Sequence, residues 1–229
     1  YRAAHYVVFV NYEEFLDDIE RTQEQHEQPG WYFSGYDCDS LAMEPVTGFI
    51  NYALDRFSQL ERSHLEIRTK STQISSLLHR APLDNAVIAF SFTPQQTATQ
   101  HEYKVPSVQK RIAAAVKLQQ AGWKIGIRLD PMITSTTFQD DYRELLNQLF
   151  DQLDRHTIHS VSYGAFRLPR DFFKRMVKLY PREALFAGNL TENSQMVSYP
   201  PSVEAEQGTF IHRELTKYLG EERIYPCDI

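Results

Sequence analysis

The stretch Trp31–Pro45, WYFSGYDCDSLAMEP, contains the pattern that decides the fold. Its aromatic start, Trp31–Phe33, predicts a short buried strand that stops at Ser34 and Gly35. A polar turn follows, and Pro45 opens a helix. This order of strand, glycine, polar turn and helix is typical of parallel α/β folds, which present their chemistry at the carboxyl ends of the strands.

The polar turn places a phenol, two carboxylates, a thiol and a hydroxyl in succession: Tyr36, Asp37, Cys38, Asp39 and Ser40. One interpretation is structural, because Asp39 or Ser40 could cap the next helix. Capping leaves the neighbouring phenol and thiol unexplained. Cys38 is a candidate nucleophile, although no histidine lies near it in the sequence. In the alternative interpretation it is a small buried packing residue.

The bulk composition favours one domain over residues 1–229. The chain is 42% hydrophobic, which is enough for a single core. Its net charge of -6 disfavours nucleic-acid binding through overall charge, although a local basic face is compatible with it. No apolar run approaches the roughly 20 residues of a membrane helix, so we expect a cytoplasmic protein without membrane contact. Because the chain starts at Tyr1, without Met, we expect an N-terminal truncation.

Strands and helices alternate along the chain. The other predicted strands are His5–Val10, His64–Thr69, Ala86–Phe92, Trp123–Leu129 and Thr157–Tyr163. The predicted helices are Tyr12–Gln25 (after Asn11 as N-cap), Val46–Arg62, Thr72–Leu78, Val108–Ala121 (between Ser107 and Gly122), Asp140–Leu153, Asp171–Leu179 and Gly208–Leu219. The remaining predictions are a polar loop at Gln95–Tyr103, a short strand at Ala184–Ala187 and a loop or hairpin at Asn189–Pro201. Six strands at βα spacing predict a parallel sheet, closed or partly closed.

Polar residues of both charge signs follow the predicted strands. They are Tyr36–Asp39, Arg68–Lys70, Ser91 and Thr93, Arg128 and Asp130, and Tyr163 and Arg167. Such ends suit a zwitterionic ligand, because Lys70 can hold a carboxylate and an acid can hold an ammonium group. Each residue has a structural alternative: Lys70 could be solvated, and Arg128 and Asp130 could form a local ion pair. The histidine and cysteine spacings predict no metal site within the chain.

The motifs, taken in order, resemble the spore photoproduct lyase family of radical S-adenosylmethionine enzymes. The matching stretches cover nearly the whole chain: HYVVFVNYEEFLDDIE, WYFSGYDCDSLAMEPVTGF, LEIRTKS, AFSFTP, SVQKRIAAAVKLQQAGW, GIRLDPMI and DDYRELLNQLF. The resemblance implies an α/β fold, a partial (β/α)6 TIM-like barrel of radical SAM type. It also implies a lyase that repairs a thymine-dimer photoproduct in DNA by hydrogen abstraction and back-donation.

The implied cofactors are S-adenosyl-L-methionine and a [4Fe–4S] cluster, with flavodoxin or ferredoxin as electron donor. Three cysteines of a CxxxCxxC motif hold such clusters, and we expect this motif upstream of Tyr1 because the sequence does not contain it. By the resemblance, Lys70 contacts the methionine carboxylate of the cofactor, and Ser91 faces the same ligand. We add Asp39, Arg128 and Asp130 to the cofactor site as predictions.

The remaining predicted residues concern the substrate. Tyr163 and Arg167 are predicted to contact it. Tyr36 takes the position of the family's hydrogen-donor cysteine, and Cys38 lies two residues later. Since thiol X–H bonds are weaker than phenol ones, Cys38 is the preferred donor and Tyr36 the second choice.

One departure from the family concerns DNA. The family has a basic, aromatic hairpin that opens DNA, whereas the matching stretch here, Thr191–Pro201, contains no Lys or Arg. This disfavours duplex DNA as the substrate. The alternatives are a radical S-adenosylmethionine enzyme for another substrate, or a non-enzymatic α/β domain that binds a small zwitterion or nucleotide.

Overall fold

A six-stranded sheet forms the centre of the fold in the computed structural model, which describes residues 7–35, 38–193 and 195–227. Within these residues the strand order is β1-β2-β3-β4-β5-β9. Strand β1 pairs with β2, β2 with β3, and β5 with β9 in parallel. The strands are β1 (Gly30–Ser34), β2 (Ser63–Thr69), β3 (Ala86–Ser91), β4 (Lys124–Met132), β5 (Ile158–Ala165) and β9 (Ile224–Pro226).

A second, antiparallel sheet has the order β6-β8-β7, with β6 (Arg167–Pro169), β7 (Thr191–Glu192) and β8 (Met196–Ser198). The α-helices are α1 (Tyr12–Glu24), α2 (Glu44–Thr47), α3 (Phe49–Phe57), α4 (Ser75–Leu78), α5 (Gln95–His101), α6 (Val108–Gln120), α7 (Phe138–Phe150), α8 (Arg170–Leu179) and α9 (Pro201–Leu215). No helix in the described ranges has the length and apolar character needed to cross a membrane.

The chain divides into two compact units. Unit 1 comprises Tyr1–Ser91, Lys104–Gly126 and His156–His159, and it contains β1 to β3 with the first residues of β4 and β5. Unit 2 comprises Phe92–Tyr103, Ile127–Arg155 and Ser160–Ile229, and it contains the rest of β4 and β5, the antiparallel sheet and β9. The single domain predicted for residues 1–229 stays a prediction.

Helix ends follow the capping residues in the sequence. The Ser107 hydroxyl accepts from the Lys110 backbone N–H at 3.4 Å, and Gly122 ends α6 in the left-handed region at φ +93°. The predicted helix Val46–Arg62 is instead split into α2 and α3 at Gly48, which has φ +60°. The buried carboxylate of Glu44 accepts from the Ile50 backbone N–H at 2.9 Å and thereby caps α3.

Two predictions about the first strands are wrong. Residues 7–10 of the predicted strand His5–Val10 are in no strand, and residues 1–6 lie outside the described part. Strand β1 is not buried: Trp31 is 43% and Phe33 52% exposed. The physical reason is that successive side chains of a strand point to opposite faces, and only one face of β1 is covered.

Three further predictions failed where tertiary contacts override weak local signals. The polar segment Gln95–Tyr103 contains α5, because Thr97 and Ala98 are buried and anchor it. Ala184–Ala187 is a 3-10 helix rather than a strand, and the Glu183 side chain caps it through the Leu185 backbone N–H. The missed strand β9 completes the count of six. The hairpin predicted within Asn189–Pro201 is confirmed as β7 and β8.

Candidate active site

The turn after β1 depends on Gly35, which has φ +84°. A Cβ atom built on Gly35 would lie 2.6 Å from the Arg68 carbonyl oxygen and 3.0 Å from that of Cys38, and it would also overlap the Ser40 hydroxyl. The Ser40 backbone N–H donates to the same Arg68 carbonyl at 3.1 Å. The turn therefore lies directly against the end of β2, and only glycine fits the closest point.

Asp39 connects this turn to β2. Its Oδ1 accepts from the backbone N–H groups of Leu41 and Ala42, both at 2.9 Å, and from the Thr69 hydroxyl at 2.7 Å. Its Oδ2 accepts from the Lys70 backbone N–H at 2.6 Å. Charge-assisted bonds of this kind are among the stronger ones in proteins. Asp39 therefore holds the turn in place, and a role for it in cofactor binding stays a prediction.

The capping interpretation is confirmed in part, because Asp39 accepts from the N–H groups two and three residues later, although these belong to the turn before α2 and not to the helix. The residue before α2 is Met43, which makes no side-chain cap, so neither Asp39 nor Ser40 caps that helix. Ser40 instead donates its hydroxyl to the Ser34 hydroxyl at 2.9 Å. The side chains of Asp39 and Ser40 both form hydrogen bonds that stabilise the turn.

The thiol of Cys38 is exposed, so its interpretation as a small buried packing residue is wrong. The structure places it in the turn that Gly35 and Asp39 fix. The second candidate donor, Tyr36, lies outside the described residues, as does Asp37. The assignment of either side chain as hydrogen donor stays a prediction.

Lys70 and Ser91 come together at the carboxyl ends of β2 and β3. In the parallel register Thr69 pairs with Phe90, and both of these side chains are buried. Ser91 is the last residue of β3, and Lys70 is the first residue after β2. Ser91 is 7% exposed and Lys70 is half-buried. The two residues predicted to hold one ligand thus lie at the ends of neighbouring parallel strands, and their contact with that ligand stays a prediction.

Two charged side chains of β2, those of Arg68 and Glu66, contact each other in the residues that precede Lys70. The guanidinium of Arg68 donates through Nε and Nη2 to Oε1 of Glu66, at 3.1 and 2.9 Å. Glu66 is only 3% exposed, and its register partner is Val87. The sequence predictions omitted Glu66. The alternation of His64, Glu66, Arg68 and Lys70 along a buried strand is the signal that would have found it.

In unit 2, the predicted residues of β4 form polar contacts within their own surroundings. Arg128 is 5% exposed and donates to the Ser160 hydroxyl at 3.0 Å and to the Ser160 carbonyl at 3.2 Å. Asp130 forms an ion pair with Arg167, with 3.3 Å between Oδ2 and Nη2. Both partners of this pair remain about one-fifth exposed. Their assignments to cofactor and substrate stay predictions.

Tyr163 belongs to a row of three polar side chains. Its hydroxyl lies 3.3 Å from Nδ1 of His212 on α9, and Nε2 of His212 lies 2.9 Å from a carboxylate oxygen of Glu221. The phenol is 7% exposed, so this packing against α9 holds it firmly. Substrate contact by Tyr163 stays a prediction, as does the expectation that all the predicted residues surround one mouth.

Comparison with known proteins decides the family. The sequence profile described as spore photoproduct lyase matches residues 3–195. The chain belongs to the spore photoproduct lyase family. Family relatives include the spore photoproduct lyase of Clostridium acetobutylicum, which is 27% identical over 115 residues, 50% of this chain and 34% of the relative. The spore photoproduct lyase of Bacillus subtilis is 23% identical over 180 residues, 77% of this chain and 53% of the relative. The chain therefore spans between one-third and about one-half of these relatives.

Solved structures of spore photoproduct lyase share the fold. A double mutant with bound AdoMet and dinucleoside spore photoproduct superimposes with a TM-score of 0.82 at 17% identity, covering 96% of this chain and 67% of that one. A complex with dinucleoside spore photoproduct gives the same TM-score, identity and coverage. This likeness confirms the predicted α/β fold of partial-barrel type.

Proposed function

We propose that this chain is the barrel part of a radical S-adenosylmethionine lyase that acts on spore photoproduct. The observation that carries the proposal is that Lys70 directly follows β2 and Ser91 ends the neighbouring parallel strand β3, next to the register pair Thr69 and Phe90. Family membership over residues 3–195 supports it, and so does a structural relative with bound AdoMet and dinucleoside spore photoproduct.

The described residues fit S-adenosylmethionine in one respect that can be tested. A methionine carboxylate needs a cation and a hydrogen-bond donor close together, and Lys70 with Ser91 supplies both. The cofactor would provide the 5′-deoxyadenosyl group that abstracts hydrogen from the substrate. The residues of this chain would bind its carboxylate and, through Asp39, keep the neighbouring turn at a fixed distance.

The iron–sulfur cluster fits this chain less well. The sequence has two cysteines, and the described residues contain no group of three or more His, Cys, Asp or Glu suited to a metal ion. We infer that the ligands lie in a CxxxCxxC motif upstream of Tyr1, and we derive no step from the cluster. A flavodoxin or ferredoxin as electron donor and a cytoplasmic location belong to the same proposal.

The proposed activity is tested by anaerobic reconstitution of the full-length protein with iron and sulfide, followed by addition of S-adenosylmethionine and of reduced flavodoxin or dithionite as the one-electron donor. We expect 5′-deoxyadenosine to form and dinucleoside spore photoproduct to be converted to two thymidines. Formation of 5′-deoxyadenosine without conversion of the photoproduct would support the alternative that the protein is a radical S-adenosylmethionine enzyme for another substrate. If neither product forms in a preparation whose cluster is verified by its absorption spectrum, the proposal is wrong.

Cys38→Ala tests the hydrogen donor. Since the thiol is exposed and packs into no core, we expect the fold and 5′-deoxyadenosine formation to be unchanged, while the substrate radical is diverted to side products. Chromatography of the products measures this diversion. Cys227→Ala, which removes the other thiol, is the matched control and should give the normal product. Normal product from Cys38→Ala would exclude this donor, and loss of product in Tyr36→Phe would then assign the phenol.

A further inference from the structure

Basic residues are concentrated around α8. Residues 167–182 contain six of the 24 Lys and Arg residues of the chain and a single acidic one, Asp171. The whole chain has a net charge of -6, so this concentration opposes the overall charge. A local cluster of this kind determines polyanion binding more than net charge does.

Part of this charge faces solvent without an acidic partner. Arg175, Lys178 and Arg182 are exposed, and none of them forms an ion pair with any acidic side chain that the structure describes. Arg170 and Lys174 share one carboxylate, that of Glu192 in the hairpin, at 3.3 and 3.6 Å. The hairpin that lacks Lys and Arg therefore neutralises part of the helix next to it.

The spacing along α8 produces a row. Arg170, Lys174 and Lys178 are four residues apart, so they lie on one side of the helix at steps of about 6 Å. Arg175 flanks this row. A DNA strand carries one phosphate per roughly 3.4 Å of axis, so a row about 12 Å long is able to contact several phosphates.

The position of α8 suits a surface beside a substrate site. The helix starts at Arg170, five residues after β5 ends at Ala165. Strand β6 leads into it and pairs with β8 of the hairpin. Ligands of parallel α/β folds lie outside the carboxyl ends of the strands, and α8 begins at such an end.

The apolar side of α8 argues against a membrane surface. Phe172, Phe173, Met176 and Val177 are half-buried, and the Phe173 ring contacts the Phe186 ring edge to face at 5.4 Å. The helix also contacts β6 and β8. A helix that lies in a membrane interface must present its apolar face to lipid, and most of this face is already used.

We propose that the basic side of α8, formed by Arg170, Lys174, Arg175 and Lys178, binds the phosphate backbone of DNA together with Arg182 in the turn after the helix. The proposal rests on the proposed function, because it names the surface that holds the DNA flanking the lesion. In this proposal a basic helix contacts the DNA, whereas in the family a basic hairpin does so. Phosphate contacts of this kind position the protein and carry no sequence information.

The test compares the salt dependence of binding to a fluorescent 20-base-pair duplex. The variant R175Q/K178Q/R182Q removes three exposed cations, and K104Q/K110Q/K117Q removes three exposed cations elsewhere as the matched control. Loss of three phosphate contacts should make the negative slope of log K against log salt shallower by about 2.7. Between 50 and 200 mM salt the wild type should therefore lose affinity about 40-fold more than the α8 variant. The control should keep the wild-type slope.

A second variant should change DNA affinity in the opposite direction. Glu192→Gln frees Arg170 and Lys174 from their shared carboxylate, so DNA binding should tighten several-fold and its slope should steepen. Gln139→Ala, on the exposed side of α7, should leave both quantities unchanged. A wild-type slope in R175Q/K178Q/R182Q, or no gain in Glu192→Gln, overturns the proposal. So does binding to anionic lipid vesicles in place of DNA.

The DNA-binding role of the basic side of α8 and the proposed function can be tested separately. Dinucleoside spore photoproduct lacks flanking backbone, so the reconstituted α8 variant should convert it at the wild-type rate and should lose activity only on an oligonucleotide. Conversion of both substrates at wild-type rates overturns the docking surface alone. Loss of DNA affinity in a protein that converts neither substrate supports the surface and overturns the proposed function.

Discussion

Lys70→Ala is expected to weaken S-adenosylmethionine binding by on the order of a hundredfold in the full-length, reconstituted protein. Lys70 directly follows β2, and Ser91 ends the neighbouring strand β3, where the Lys70 ammonium group would pair with the methionine carboxylate of the cofactor. Loss of one hydrogen-bonded charge pair typically costs about 3 kcal/mol. Equilibrium dialysis under anaerobic conditions measures the change.

Lys117→Ala is the matched control, because Lys117 is an exposed lysine on α6. It should bind the cofactor like the wild type. Ser91→Ala should have a smaller effect, because it removes a neutral hydrogen bond, which contributes about 1 kcal/mol. If Lys70→Ala binds with wild-type affinity and a wild-type melting temperature, the assignment of this lysine is wrong.

Gly35→Ala is expected to lower the free energy of unfolding by about 4 kcal/mol. Two penalties add at this position. The left-handed backbone at φ +84° disfavours any Cβ atom, and that atom would approach the Arg68 carbonyl oxygen to 2.6 Å. Since neither backbone segment can rotate away as a side chain can, the turn must separate from β2. Urea denaturation followed by circular dichroism measures the loss.

Gly48→Ala separates the two penalties. Gly48 also has positive φ, +60°, but a Cβ atom there has open space around it. Its cost should be limited to the backbone conformation, about 1 kcal/mol. Equal losses in the two variants would show that the close approach at Gly35 contributes nothing. In that case the turn with Cys38 would not depend on its contact with the end of β2.

Much of the framework was predictable from local patterns. Ser107 and Gly122 bracket α6 because a hydroxyl cap and a left-handed residue satisfy the helix ends from within a few residues. Strands β2 and β3 were predicted closely, since β-branched and apolar runs bounded by turn residues identify buried strands. The sequence also predicted correctly that Lys70 and Ser91 lie at the ends of these two strands, while their role stays a prediction.

The errors occurred where a segment's state depends on a distant partner. The apolar residues 7–10 predicted a strand, yet a strand exists only with a neighbour to pair with, and none of the described residues pairs with them. Strand β9 was missed because its three residues are too few to give a pattern, and only pairing with β5 defines it. The polar α5 forms because Thr97 and Ala98 are buried in unit 2.

The sequence by itself determined the alternation of strands and helices, the polar turn that contains Asp39 and Ser40, and the order of motifs that marks the family. These follow from spacing and turn chemistry, which act between near neighbours. Only the tertiary structure showed that Asp39 joins the turn to β2, that Glu66 lies buried beneath Arg68, and that Glu192 of the hairpin faces the basic side of α8. Such contacts join residues that are far apart in the chain or lie on one face of a strand or helix, and their free energies depend on distance and burial, which the order of residues does not specify.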